Sequence, residues 1–142
     1  CEIIRMDDFF LPKEKRTSER LATPGGNIDY ERFKEEVIDK LGSSFVYHIF
    51  DCSIMDINGD ALINKNRLTV VEGSYSLHPY FGKYYDLSIF LDIDYEEQVR
   101  RIKERNGEEM LKMFTSKWIK YEFLYHKEFD IKNIVDIYKK VC

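Results

Sequence analysis

Long apolar runs are missing from this chain. No stretch approaches the roughly 20 residues that a membrane-spanning helix needs, so no membrane partner is expected. Cysteine is scarce: Cys1, Cys52 and Cys142 form no CxxC pair and have no Cys/His spacing of a zinc site. An odd count at wide spacing suits reduced thiols, and no signal-peptide pattern opens the chain, so a cytoplasmic location is expected. Positive charge is not in excess. The 22 Lys and Arg against 26 Asp and Glu give a formal charge of −4, which offers a nucleic-acid polyanion no attraction. Internal repeats and low-complexity tracts are also absent.

What is present is the material of a packed globular domain. The chain has 142 residues, of which 44% are hydrophobic and 15% aromatic, enough for a real core and too much for a disordered segment. Charged residues make up 34%, so the surface is well solvated. We read residues 1–142 as a single domain.

The apolar stretch Ile3-Ile4-Arg5-Met6 reads as a buried strand ending at Asp7-Asp8, followed by a loop broken at Pro12. Because strand pattern begins almost at Cys1, which is not Met, further chain is expected upstream. Residues 13–27 are charged and turn-rich, and a loop that long is usually functional or mobile. Asp29 has the character of a helix N-cap, with Arg32 rather than Glu three residues on. Phe33, Val37 and Leu41 then share one helix face, and Gly42 closes it. Residues 45–50 read as a strand, and Asp56-Ile57-Asn58-Gly59-Asp60 as a turn between two strand-like pieces. Short β-rich runs at 68–71 and 87–91 stop at Glu72-Gly73 and at Asp92. Residues 95–105 are helical with Val99 and Ile102 inward. Asn106-Gly107 breaks that pattern, 108–126 resume it, and 133–138 read as a last strand. Continuously apolar strands alternating with helices predict an α/β fold, a three-layer sandwich with a mainly parallel sheet.

In such sheets ligands gather beyond the carboxyl ends of the strands, where Asp7 and Glu72 fall. An acid there can take the proton of a substrate hydroxyl or hold Mg²⁺ through oxygen; it can also merely cap the following turn. Arg100 and Arg101 are open to two readings as well. They can pair with Glu96 and Glu97 on a solvated helix face, or, beside a flexible Asn-Gly break, belong to a lid over transferring phosphate. His48, His78 and His126 are too dispersed to suggest a metal site or a triad, and His78, just before Pro79, reads as a loop residue. Nothing around Cys52 supports a lowered thiol pKa.

Six ordered blocks carry a resemblance. Met6-Asp7-Asp8-Phe9-Phe10-Leu11-Pro12 and Pro24-Gly25-Gly26-Asn27-Ile28-Asp29-Tyr30-Glu31-Arg32-Phe33 are similar to segments of uridine kinases and their P-loop relatives. So are Val70-Val71-Glu72-Gly73-Ser74-Tyr75-Ser76-Leu77-His78-Pro79, Tyr85-Asp86-Leu87 through Leu91-Asp92, Arg100-Arg101-Ile102 through Arg105-Asn106-Gly107, and Trp118-Ile119. The resemblance covers nearly the whole chain and begins at the family's second strand. It implies transfer of a nucleoside triphosphate γ-phosphoryl group, from ATP with Mg²⁺, to a primary hydroxyl of a small-molecule acceptor such as uridine or cytidine. By the same resemblance Asp7 is the catalytic base, which also lies near the metal, and Glu72 is the second carboxylate near it. Asp29 holds the ribose hydroxyls, Phe50 belongs to the base-recognising region, and Arg101 and Arg105 contact phosphate from a lid spanning about 100–117.

The chain departs from the family pattern in two places. No GxxxxGK[ST] phosphate-binding loop occurs in it, so the fold is expected to be incomplete at its N-terminal side. Apolar sheet surface left bare in that way predicts self-association into a homo-oligomer. Met55 stands near the position of a histidine in nucleoside-reading members, which removes a hydrogen-bonding partner for a pyrimidine edge. A kinase of another small alcohol (pantothenate, nicotinamide riboside or a sugar) and a non-catalytic nucleotide-binding module are the alternatives.

Overall fold

β1 (Glu2–Arg5) runs parallel to β4 (Thr69–Glu72), in a register from Glu2 opposite Thr69 to Arg5 opposite Glu72. These and the elements below are those of a computed structural model, which describes residues 1–141. The chain divides into two compact units, residues 1–84 and the remainder from residue 85.

In the first unit, alternation along β1 sends Ile4 inward at 0% exposure while Ile3 faces out. The chain then tightens into a 3₁₀ turn at Met6–Phe9, burying Met6 and Phe9. That turn is stitched to the residues before the next long helix. Leu11 N donates to Asn27 O at 2.9 Å, Asp29 N donates to Phe9 O at 2.8 Å, and Phe10 bridges Ile28. Residues 13–27, expected as a loop, contain a 3₁₀ turn at Lys13–Lys15 and the short helix α1 (Ser18–Ala22). The Thr17 hydroxyl caps α1 by accepting from Arg20 N.

α2 (Tyr30–Glu36) starts at Asp29 as its residue type indicates, with the Asp29 carboxylate accepting from Arg32 N at 3.2 Å. It is shorter than its apolar spacing predicts. Phe33 and Val37 are fully buried, but a 3₁₀ turn at Ile38–Lys40 takes over and leaves Leu41 outside the helix. The Phe33 ring meets Phe9 edge-on at 4.9 Å and Phe81 at 4.8 Å, which centres the core under the turn after β1.

β2 (Phe45–Asp51) and β3 (Asp56–Ile63) form an antiparallel hairpin, irregular between His48 and Phe50. The reversal lies at residues 52–55, not at the expected 56–60. Asp51 organises it by accepting from Ser53 N, Ser53 Oγ and Asn58 Nδ2, and Met55 takes a left-handed φ of 58°. Asn58-Gly59 has turn composition and lies within β3 at the irregularity of the ladder, between the His48–Asp60 and Phe50–Ile57 pairs, where Gly59 takes a φ of 106°.

The second unit pairs β5 (Ile89–Ile93) with β6 (Ile137–Val141) in parallel, Ile89 opposite Ile137. β6 begins later than expected, since Ile131–Ile134 form the short helix α5. Asp136 ties the start of the ladder, accepting from Ser88 N at 2.8 Å and Ser88 Oγ at 2.7 Å. Between the strands lie α3 (Tyr95–Met113), a π turn at Phe114–Trp118, and α4 (Ile119–Glu128), which buries Tyr125. The expected break in α3 is present: Gly107 has φ 81° and ψ 175°, a conformation essentially reserved for glycine. Among the described residues, two of the three ladders are parallel, as continuously apolar strands lead one to expect.

Candidate functional site

The parallel register places Arg5 beside Glu72, so the residues that follow each strand emerge at one carboxyl edge. Asp7 is exposed there, one residue past Met6, and the Glu72 side chain is 56% exposed at the end of β4. The approach is close. A Cβ added at Gly73, where φ is 128°, would lie 2.7 Å from Met6 Cβ. Glycine after the acid lets β4 end against the turn that carries Asp7.

Asp8 serves a different purpose from Asp7. Its carboxylate accepts from the Tyr47 hydroxyl at 2.8 Å, and its carbonyl accepts from Arg32 Nη2 at 2.6 Å. Burial, followed by the hydrogen bond to Asp8, pushes the Tyr47 phenol far above its ordinary range, so it stays a donor. Arg32 also donates through Nη1 to His48 O at 2.6 Å and to Glu36 at 3.2 Å, and its guanidinium lies 4.3 Å over the Phe9 ring. One half-turn of α2 thus holds the acid-bearing turn against β2.

Asp29 is 1% exposed. One oxygen caps α2, and the other receives Lys15 Nζ at 3.0 Å. Lys15 lines an open cleft of about 430 Å³ together with Leu11, Arg20 and Glu31. Arg20 and Glu31 pair bidentately at 2.7 and 2.8 Å. Arg20 also donates to Gly26 O and Ile28 O and lies 3.7 Å over the Tyr30 ring, fixing the backbone between α1 and α2. Its guanidinium holds the Glu31 carboxyl below the usual range. On the other side of Tyr30, His78 stacks at 4.6 Å. His78 Nε2 donates to Pro24 O and Nδ1 accepts from Tyr80 N, the arrangement of a neutral imidazole, and burial pushes its pKa down.

Phe50 is 4% exposed and packs edge-on against Phe10 at 6.4 Å. Cys52 is exposed at the hairpin tip. Partial burial of the thiol and then the charge of Asp7 push its pKa up, which disfavours a thiolate. Arg101 and Arg105 belong to the second unit. Arg101 Nε donates to Glu97 at 2.7 Å and Arg105 Nε to Asn106 at 2.8 Å, both before the Gly107 break. Arg100 and then Arg101 hold the Glu97 carboxyl down to about 2.

The structure therefore groups Asp7, Asp29, Phe50 and Glu72 within one unit, with Arg101 and Arg105 on a helix of the other. Tyr47, Lys15 and Arg32 escaped sequence reasoning as participants. Arg32 carried a partial signal, as the basic residue where a capping box has Glu.

No protein-family model matches the chain, and no curated protein does. Solved structures do. One, described as a "possible uridine kinase" from Bacillus stearothermophilus, superposes with a TM-score of 0.67 at 14% identity, covering 96% of this chain and 70% of that one. Another, described as a "putative fructose transport system kinase" from Silicibacter sp. TM1040, gives a TM-score of 0.72 at 19% identity, covering 97% and 74%. The chain shares the α/β fold of these two structures. Among the described residues no helix is long and apolar enough to cross a membrane, and no cluster of three or more His, Cys, Asp or Glu could hold a metal alone.

Proposed function

We propose that these residues form the acceptor side of an ATP-dependent small-molecule kinase, with Asp7 as the base. The observation that carries the reading is the shared carboxyl edge of β1 and β4. It presents two exposed carboxylates, Asp7 and Glu72, where ligands of such sheets collect. Asp7 accepts the proton of the acceptor's primary hydroxyl as its oxygen bonds to the γ-phosphorus, and the bond to the β-phosphate oxygen breaks to leave ADP.

Two carboxylates fit Mg²⁺, which keeps most of its waters and is commonly held by one or two acids together with substrate phosphates. The ion supplies charge neutralisation on the phosphates; Asp7 and Glu72 are the residues to hold it. Arg101 and Arg105, next to the Gly107 break, are suited to donate to phosphate oxygens from a lid at about 100–117. The phosphate cradle of a GxxxxGK[ST] loop is not furnished by this sequence.

Asp29 is the group assigned to the acceptor's hydroxyls, and Phe50 on β2, packed against Phe10, is assigned as an apolar wall. Uridine or cytidine is the first acceptor to test. A sugar-type alcohol is the second, favoured by Met55, a thioether near the position where the resemblance puts the histidine of nucleoside-reading members.

ATP-to-ADP turnover of the protein at its full natural length, against nucleosides, pantothenate, nicotinamide riboside and simple sugars, tests the reading. Acceptor-dependent ADP release supports it and names the substrate. Silence across the panel from folded protein removes it in favour of a non-catalytic nucleotide-binding module.

A further inference from the structure

Asp29 poses a problem of access. A group that is to accept hydrogen bonds from an acceptor is only 1% exposed, and both of its oxygens are already engaged. The two engagements are unequal. The bond from Arg32 N is a helix cap, built into the backbone of α2. The partner on Oδ2, Lys15, belongs to a 3₁₀ turn on the surface, its side chain is 56% exposed, and it lines the open cleft. A lysine ammonium on a flexible stem exchanges a carboxylate for water at little cost when that much of it is already wet.

A second observation concerns what remains when Lys15 leaves. Arg32 Nε is buried, has no hydrogen-bond partner, and stands 4.0 Å from Asp29 Oδ2. Its guanidinium is held by Asp8 O, His48 O and Glu36, so this positive charge stays in place. Asp29 therefore remains compensated as an anion after Lys15 withdraws, and Oδ2 becomes a strong acceptor facing the space that Lys15 vacates.

We propose that Lys15 is a specificity-determining residue of the acceptor site, an exchangeable counter-ion on Asp29 that an uncharged polyhydroxyl acceptor displaces on binding. This rests on the assignment of Asp29 to the acceptor. Binding is an exchange of an ammonium for hydroxyl donors, and it carries an unusual signature. Salt screens the Lys15–Asp29 pair and so strengthens binding of an acceptor that itself bears no charge. An anionic acceptor, drawn to the released ammonium, would show the opposite dependence.

The test is calorimetric titration of the full-length protein, without ATP, using uridine, cytidine and fructose at about 50 and about 500 mM salt. The natural protein, Lys15→Met and Lys15→Arg are compared. Loss of a half-exposed pair predicts about five-fold tighter binding by Lys15→Met at low salt, with the salt dependence gone. Lys15→Arg keeps the charge and behaves as the natural protein does. Binding by Lys15→Met that is unchanged or weaker overturns the proposal while leaving the acceptor assignment standing. No binding of any probe by any of the three proteins, all folded by circular dichroism, overturns both.

Discussion

The Tyr47 hydroxyl donates to Asp8 across 2.8 Å, while Asp7, the preceding residue, is exposed at the edge shared with Glu72. Two adjacent carboxylates of the same residue type are thereby given different work. Asp8 anchors the turn to β2, and Asp7 is left exposed to solvent. Asp7→Asn should lower kcat at least about a hundred-fold, the usual loss when a positioned base is removed, with the melting temperature unchanged. Asp8→Asn should retain transfer and lose stability. Turnover assays paired with thermal melts separate the two, and full activity in Asp7→Asn would remove the assignment.

The Tyr47 side of that contact gives its own prediction. Tyr47 is 3% exposed and its ring lies 5.2 Å from Phe9, so Tyr47→Phe keeps the packing and deletes only the hydroxyl. The cost is about 1 kcal/mol, the net worth of one such hydrogen bond, read as a lower denaturation midpoint at unchanged slope. A variant as stable as the natural protein would mean that water replaces the phenol at Asp8.

Much of this was legible in the residues. Ile3-Ile4-Arg5-Met6 ending in acids, the β-rich run stopping at Glu72-Gly73, the Asp29 cap and the Asn106-Gly107 break were all visible, because each rests on local chemistry or a short apolar period. The hairpin tip was misplaced by a few residues. Asn58-Gly59 carries a turn signal, but in the fold it forms the irregularity between the His48–Asp60 and Phe50–Ile57 pairs, while Asp51 organises the reversal at 52–55. Lys15 on Asp29 and Tyr47 on Asp8 were not legible. Their partners lie 14 and 39 residues away, and only the folded chain brings them within hydrogen-bond reach.

His78 makes stability depend on pH. The imidazole, stacked on Tyr30, is buried, which disfavours its charged form, and uses Nδ1 as an acceptor, which requires the neutral one. Its folded pKa is depressed below the ordinary value of about 6.5. The unfolded chain therefore binds the proton first. Its contribution is fully present above about 6.5 and is lost as pH falls from there through the folded pKa. Melting temperatures measured from pH 8 down to about pH 5 should fall in that window, and His78→Gln should show a shallower decline there. Equal slopes in the two proteins would assign the decline to other groups.

Gly73 ties stability to the geometry of the acid pair. It follows Glu72 directly, has φ 128°, and leaves no room for a methyl group against Met6. Gly73→Ala adds a left-handed strain of about 1–3 kcal/mol and a contact that only a shift of the β4 end can relieve. Such a shift moves Glu72 away from the turn bearing Asp7, so the loss has two parts. Chemical denaturation should report the stability cost. Separately, if the two carboxylates share Mg²⁺, turnover at temperatures where the variant is fully folded should require several-fold more Mg²⁺ for half-maximal rate. A variant that is destabilised yet keeps the natural Mg²⁺ requirement would show that Glu72 does not act with Asp7 on the metal. A variant that is neither destabilised nor altered would contradict the close packing of Gly73 on Met6.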